Sequence, residues 1–200
     1  MLFRAIIIGL SVAAPLGPIG VLCVQRTLIG GRRSGFFSGL GAATADSLYA
    51  SVAGFGLTFI SVFLIDQMSW IRSIGGLFLC YLGVRAYLAS PTDRRESVER
   101  VGLASAYGST FALTLTNPMT ILSFAGIFAG LGIAELGQDY VDAVALVLGV
   151  FVGSVVWWFS LSGITSLFRE RFDLSRLAWV NRISGLIMAG FGVAALVSAL

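Results

Sequence analysis

Trp70–Ala86 reads WIRSIGGLFLCYLGVRA, and Trp179–Ala195 reads WVNRISGLIMAGFGVAA. Laid together without a gap, they agree at seven of seventeen positions: Trp, Ile, Gly, Leu, Gly, Val and Ala. An apolar bias yields some matches by chance, but a shared Trp and two shared Gly in register mark a duplication. A fainter echo joins GLSVAAPLGP to ALTLTNPMTI, placing Leu10 over Leu113, Ser11 over Thr114 and Pro15 over Pro118. The chain therefore reads as two halves, 1–89 and 103–200, joined by the charged linker 90–102.

Composition sets the medium in which those halves fold. Of 200 residues, 57% are hydrophobic and only 12% charged, about half the charge of a soluble domain. The apolar residues come in blocks long enough to cross ~30 Å of hydrocarbon. Six helical spans are expected, at about 2–24, 35–64, 70–89, 103–131, 140–168 and 177–199. The first block is too long and too proline-rich for a cleaved signal, so it reads as a span. An odd number of spans per half forces the second half to enter from the opposite side. The expected fold is an all-α integral membrane protein, two inverted three-helix repeats in one membrane domain.

The arginines orient it. Arg26, Arg32 and Arg33 follow the first span; Arg85, Arg94, Arg95 and Arg100 follow the third; Arg169, Arg171, Arg176 and Arg182 follow the fifth. Only Arg4 and Arg72 fall on the other side, beside Asp66, Glu135, Asp139 and Asp142. The positive-inside rule puts the arginine-rich side in the cytoplasm and both termini outside. The net charge of +3 is an orientation signal, so no nucleic-acid partner is expected.

Spans 1 and 4 are expected to break. APLGPIG carries Pro15, Gly17 and Pro18, and TNPMT carries Asn117, Pro118 and Thr120. Proline removes a backbone donor and clashes with the preceding turn, and irregular backbone at membrane depth is tolerated only beside protein or a water-filled cavity. Matched breaks in two repeated halves therefore point to a shared polar interior. Gly35 with Gly39, Gly126 with Gly130, and Gly149 with Gly153 form small-xxx-small faces for close helix packing. Trp157, Trp158 and Tyr140 fit either an interfacial belt or the core.

One acid lies inside the spans and away from their ends: Asp46, in GLGAATADSLYASVAGFG, Gly39–Gly56. An ionised Asp at mid-membrane costs about 2.5–3.5 kcal/mol on insertion scales. It is either a satisfied buried acid, with Thr44, Ser47, Tyr49 or another span as its donor, or a group that takes and releases a proton on a transport path. The chain contains no His, which removes His-based metal motifs and triads. No enzyme, metal or cofactor is expected. A thiol–disulfide electron carrier would need Cys23 and Cys80 to meet, although they occupy nonequivalent places in one half. A metal-ion exporter would want more Cys, His or acid than these thiols and Asp46.

PLGPIGVLCVQRTLIGGRRSGFFSGLGAATADSLYA (15–50) together with NPMTILSFAGIFAGLG (117–132) resembles the LysE/RhtB family of bacterial amino-acid exporters, over essentially the whole chain. The resemblance assigns the GP pair to Gly17–Pro18, with Pro15 just upstream. It assigns the basic turn to Gly31–Arg33, the membrane carboxylate to Asp46, and NPxT to Asn117, Pro118 and Thr120. It implies a multi-pass protein of the bacterial inner membrane that exports an amino acid or similar solute, driven by protons or by the membrane potential, with Asp46 as the coupling acid. Arginine exporters of the family carry a second Asp where this chain has Ser123, so a neutral solute is expected rather than a dication. The expected partners are that solute and the lipid bilayer, with a second copy of the chain as a candidate protein partner.

Overall fold

The computed structural model describes residues 1–14, 17–55, 58–89, 102–130, 140–169 and 174–199. Among them run eight helices: α1 (Leu2–Ala13), α2 (Pro18–Gly54), α3 (Thr58–Asp66), α4 (Met68–Leu88), α5 (Leu103–Leu115), α6 (Pro118–Gly130), α7 (Tyr140–Leu167) and α8 (Leu174–Val197). Three helices, α4, α7 and the Ser175–Val197 part of α8, are long and apolar enough to cross a membrane. Sharply bent against each other, α1 and α2 form a pair that would count as a fourth span. The linker 90–101 and Pro15 lie outside the described residues.

Two expected boundaries move. The segment that holds Arg26, Arg32 and Arg33 is not a loop: helix continues from Pro18 to Gly54, kinked at Gly31. Gly31 has φ 83° and ψ 173°, a conformation that costs a side chain dearly and glycine little. The chain can therefore turn there while both arms, 18–30 and 32–54, stay helical. The predicted span 35–64 is likewise two helices, α2 ending at Gly54 and α3 starting at Thr58.

Polar side chains inside these helices are satisfied by their own backbone. Thr27 donates to the Cys23 carbonyl at 2.7 Å, Ser38 to Ser34 at 2.9 Å, Thr44 to Leu40 at 2.9 Å and Ser51 to Ser47 at 2.7 Å. Such back-bonding lets a hydroxyl sit in an apolar medium without an orphaned donor. Large apolar side chains turn outward instead: Phe3, Trp70, Leu77, Val141 and Trp179 are all more than 60% exposed. A lipid-facing surface accounts for that inversion.

Glycine sets how closely the helices meet. The main contacts pair α2 with α7, α1 with α7, α2 with α5, and α4 with α8. A Cβ on Gly153 of α7 would run into the Ile6 carbonyl and the Leu10 amide of α1, and one on Gly41 of α2 into the Tyr107 carbonyl and the Phe111 amide of α5. On α4, Gly76 lies against Gly192 of α8 and Gly83 against Gly185. Residue numbers rise on one helix as they fall on the other, so α4 and α8 run antiparallel. Gly35 faces Thr27, Gly39 faces Trp158, and Gly149 faces Ala5, as small-xxx-small packing requires. Gly126 and Gly130 lie outside the part of α6 whose side chains are described.

Candidate functional site

Both helix breaks end in the same local chemistry. Gly17 precedes α2 with Pro18 as its first residue, and Asn117 precedes α6 with Pro118 as its first residue. Proline is well suited there because the first helical N–H has no intrahelical acceptor to lose. Pro18 thus begins α2 as Pro118 begins α6, whereas Pro15, which the sequence alignment sets over Pro118, lies outside the described residues. Asn117 caps its helix: its Oδ1 accepts from the Met119 amide at 3.2 Å, and its Nδ2 donates to Thr120 Oγ1 at 3.1 Å. Gly17 has no side chain with which to cap, so the start of α2 lacks an equivalent acceptor.

Carbonyls freed at the bends find partners from elsewhere. Tyr49 donates its hydroxyl to the Leu115 carbonyl at 2.7 Å, at the end of α5. Arg169, just past α7, donates from Nε to the Leu28 carbonyl and from Nη2 to that of Ile29, each at 3.2 Å. A guanidinium at the C-terminal end of the first arm of α2 also complements the helix dipole. Neither role was visible in the sequence, where Arg169 served only as a topology charge.

A cavity of about 280 Å³ lies where the breaks meet. Six of the sequence-derived residues line it: Gly17, Pro18, Asp46, Asn117, Thr120 and Ser123. Pro118, next to Asn117 in the chain, is not among the lining residues. Val12, Thr114, Met119, Trp158 and Phe191 complete much of the lining, so α1, α2, α5, α6, α7 and α8 all contribute. The wall is mainly apolar, with a few polar groups at fixed points, which is the usual character of a small-molecule site.

Asp46 is 3% exposed and takes its hydrogen bond from another helix, the last of the donors considered from the sequence. Thr44, Ser47 and Tyr49 all donate to backbone carbonyls; none of them serves the acid. The donor is Ser154 of α7, whose Oγ gives its proton to Asp46 Oδ2 at 2.7 Å. Trp158, one turn along α7, donates Nε1 to that same Ser154 Oγ at 3.1 Å. An indole N–H can only donate, so Ser154 must accept from it and commit its single proton to Asp46. Oδ1 is left as the carboxylate oxygen with no protein partner among the described residues. Ser154 and Trp158 are separated by one helical turn in GVFVGSVVWWF. Helical spacing would have put them on one face, but nothing in the sequence aimed that face at Asp46.

Ser154→Ala should leave two buried groups unpaired, each at about 1–3 kcal/mol. A lower unfolding temperature in detergent is the expected result; an unchanged one would mean that the relay carries no stability.

A family model described as LysE type translocator matches residues 10–199. The chain belongs to that family. It is 29% identical over 192 residues to the putative amino acid efflux protein YcgF of Bacillus subtilis, covering 94% of this chain and 90% of that one. The threonine efflux protein of Salmonella typhi is 27% identical over 197 residues, 91% of this chain and 90% of its own. The Escherichia coli membrane protein YahN is 29% identical over 174 residues, 85% of this chain and 77% of its own. No solved structure matches. The translocator is a multi-pass bacterial membrane transporter, not an enzyme. Neither the thiol nor the metal alternative gains support: Cys23 is fully buried, both cysteines are free, and no metal-binding cluster occurs among the described residues.

Proposed function

We propose that this translocator exports a neutral amino acid or similar small solute by a secondary, proton- or potential-driven cycle, with Asp46 as the coupling acid. The observation that carries the reading is the cavity itself, which joins Asp46, Asn117 and both proline breaks in one space. The amide and hydroxyls of Asn117, Thr120 and Ser123 and the uncapped start of α2 supply groups for a solute carboxylate. Helix N-termini favour negative charge. Asp46 Oδ1 is placed for a proton or for the solute's ammonium. With Asp46 the one acid among the described lining residues, a zwitterion is better balanced than a dication. The amino-acid efflux names of its relatives agree with this solute class.

The cycle is read as two inverted halves, 1–89 and 103–200, rocking about the cavity, with six spans and the arginine-rich side in the cytoplasm. Reciprocal helix contacts support the inversion. The Trp70–Trp179 alignment equates Gly76 with Gly185 and Gly83 with Gly192, and the contacts observed are the crossed ones, Gly76 to Gly192 and Gly83 to Gly185. A pseudo-two-fold axis produces such crossing. Gly41 of α2 against α5 and Gly153 of α7 against α1 repeat the pattern, each meeting a carbonyl and the amide four residues on. In that register Trp158 stands where Asp46 stands, so one half supplies the acid and the other the indole.

Counterflow in proteoliposomes tests the solute class. Preloaded threonine, alanine or another neutral amino acid should exchange with its labelled form, and lysine and arginine should not. Exchange of lysine alone would overturn the neutral assignment.

A further inference from the structure

Arg26 lies on the first arm of α2 and is held in a way that topology does not explain. Its Nη1 donates to Ser38 Oγ at 3.0 Å, the Ala106 carbonyl at 2.8 Å and Thr110 Oγ1 at 2.8 Å; its Nη2 donates to Ser109 Oγ at 2.7 Å. Ser38 belongs to the second arm of α2, and the other three belong to α5. One side chain therefore ties three segments together across the proposed halves. The hydroxyls are set to receive it: Ser38 gives its own proton to the Ser34 carbonyl, Ser109 to Ser105 and Thr110 to Ala106.

The tie sits at the edge of the cavity. Ser38 is one turn from Ala42, and Thr110 one turn from Thr114; Ala42 and Thr114 both line the cavity. One turn is about 5.4 Å. From Asp46, the tie lies toward Arg32 and Arg33. In the opposite direction the interior is packed with an apolar cluster that includes Tyr49, Ala50, Ile121, Phe124 and Val150. The two directions are held together by unlike means, one by hydrogen bonds to a cation and the other by apolar packing.

All four of Arg26's acceptors are neutral oxygens. A carboxylate would offer the planar guanidinium two parallel bonds and a full opposite charge. We propose that Arg26 is the gate of the arginine-rich end, and that the carboxylate of the solute opens it by taking the guanidinium from Ser38, Ser109, Thr110 and the Ala106 carbonyl. This rests on the transport reading above for its ligand, but the gate itself can be tested without any solute.

Two measurements separate these parts. In a Cys23→Ala, Cys80→Ala background, Thr114→Cys reports access to the cavity through its labelling by a membrane-impermeant thiol reagent applied from the arginine-rich side. Arg26→Gln should raise the labelling rate roughly tenfold or more, since even one net hydrogen bond is worth about that factor in an opening equilibrium. An unchanged rate in Arg26→Gln protein that elutes as a single species overturns the gate. The second measurement compares counterflow of an amino acid with that of its carboxamide, in wild type, Arg26→Lys and Arg26→Gln. Wild type should favour the carboxylate; Arg26→Lys, which keeps charge but loses the fork, should favour it less; Arg26→Gln should lose the preference. Full preference retained in Arg26→Gln overturns the carboxylate's role and leaves the gate to the labelling result. Failure of wild type to move any amino acid would count against the transport reading, while the labelling would still decide the gate.

Discussion

Gly153→Leu should abolish recovery of folded translocator, and Gly41→Leu should do the same. At Gly153 a Cβ would lie 2.9 Å from the Leu10 amide nitrogen and closer still to the Ile6 carbonyl. At Gly41 it would lie 3.0 Å from the Phe111 amide nitrogen, with the Tyr107 carbonyl closer. These neighbours are backbone, so no rotamer change can make room. Either α1 leaves α7 or α5 leaves α2, and both moves tear the cavity wall that Val12 and Thr114 complete. Overpacking a core costs about 1–3 kcal/mol even when side chains can yield. A rigid backbone contact should exceed that, against a total stability of roughly 5–15 kcal/mol. Gly190 is the control, since a Cβ there meets nothing within 4 Å. Size-exclusion chromatography of detergent-solubilised protein should give a sharp peak for Gly190→Leu and none for the other two variants. A wild-type yield of Gly153→Leu would mean that α1 and α7 do not approach as described.

How much of this was legible beforehand depends on how local each signal is. Proline acts on its own backbone, so Pro18 and Pro118 disclosed the breaks without tertiary information. A charge in an apolar run costs free energy wherever it points, so Asp46 was equally visible. Ser154 was not, because a serine next to Gly153 in a helix is ordinary until the partner across the interface is known. Arg26 was misread for a related reason. The positive-inside rule counts an arginine by its place in the chain and is blind to the hydroxyls of Ser38 and Thr110 that receive it. Gly31 was taken with Arg32 and Arg33 as a basic turn; the turn exists, but as one residue at positive φ inside continuing helix. The echo between the halves is easiest to place in α4 and α8, where a shared Trp sets the register. It is harder to place at the first break, where Pro15 and Pro18 stand three residues apart and α2 begins at Pro18 as α6 begins at Pro118.

Asp46→Asn should separate movement of the solute from its driving force. Asn keeps the size of Asp and can still accept from Ser154, so the fold and the cavity should survive. It cannot exchange a proton with solvent, so a cycle coupled through this side chain should run only downhill. One pH unit is worth about 1.4 kcal/mol per proton, and one coupled proton should therefore sustain about a tenfold solute gradient. The deciding measurement is accumulation of a labelled neutral amino acid in proteoliposomes under an imposed gradient of one pH unit, with counterflow recorded on the same preparations. The account predicts accumulation near tenfold in wild type, none above equilibrium in Asp46→Asn, and counterflow in both. Accumulation by Asp46→Asn equal to that of wild type would contradict it, leaving Asp46 as a buried acid that Ser154 merely satisfies.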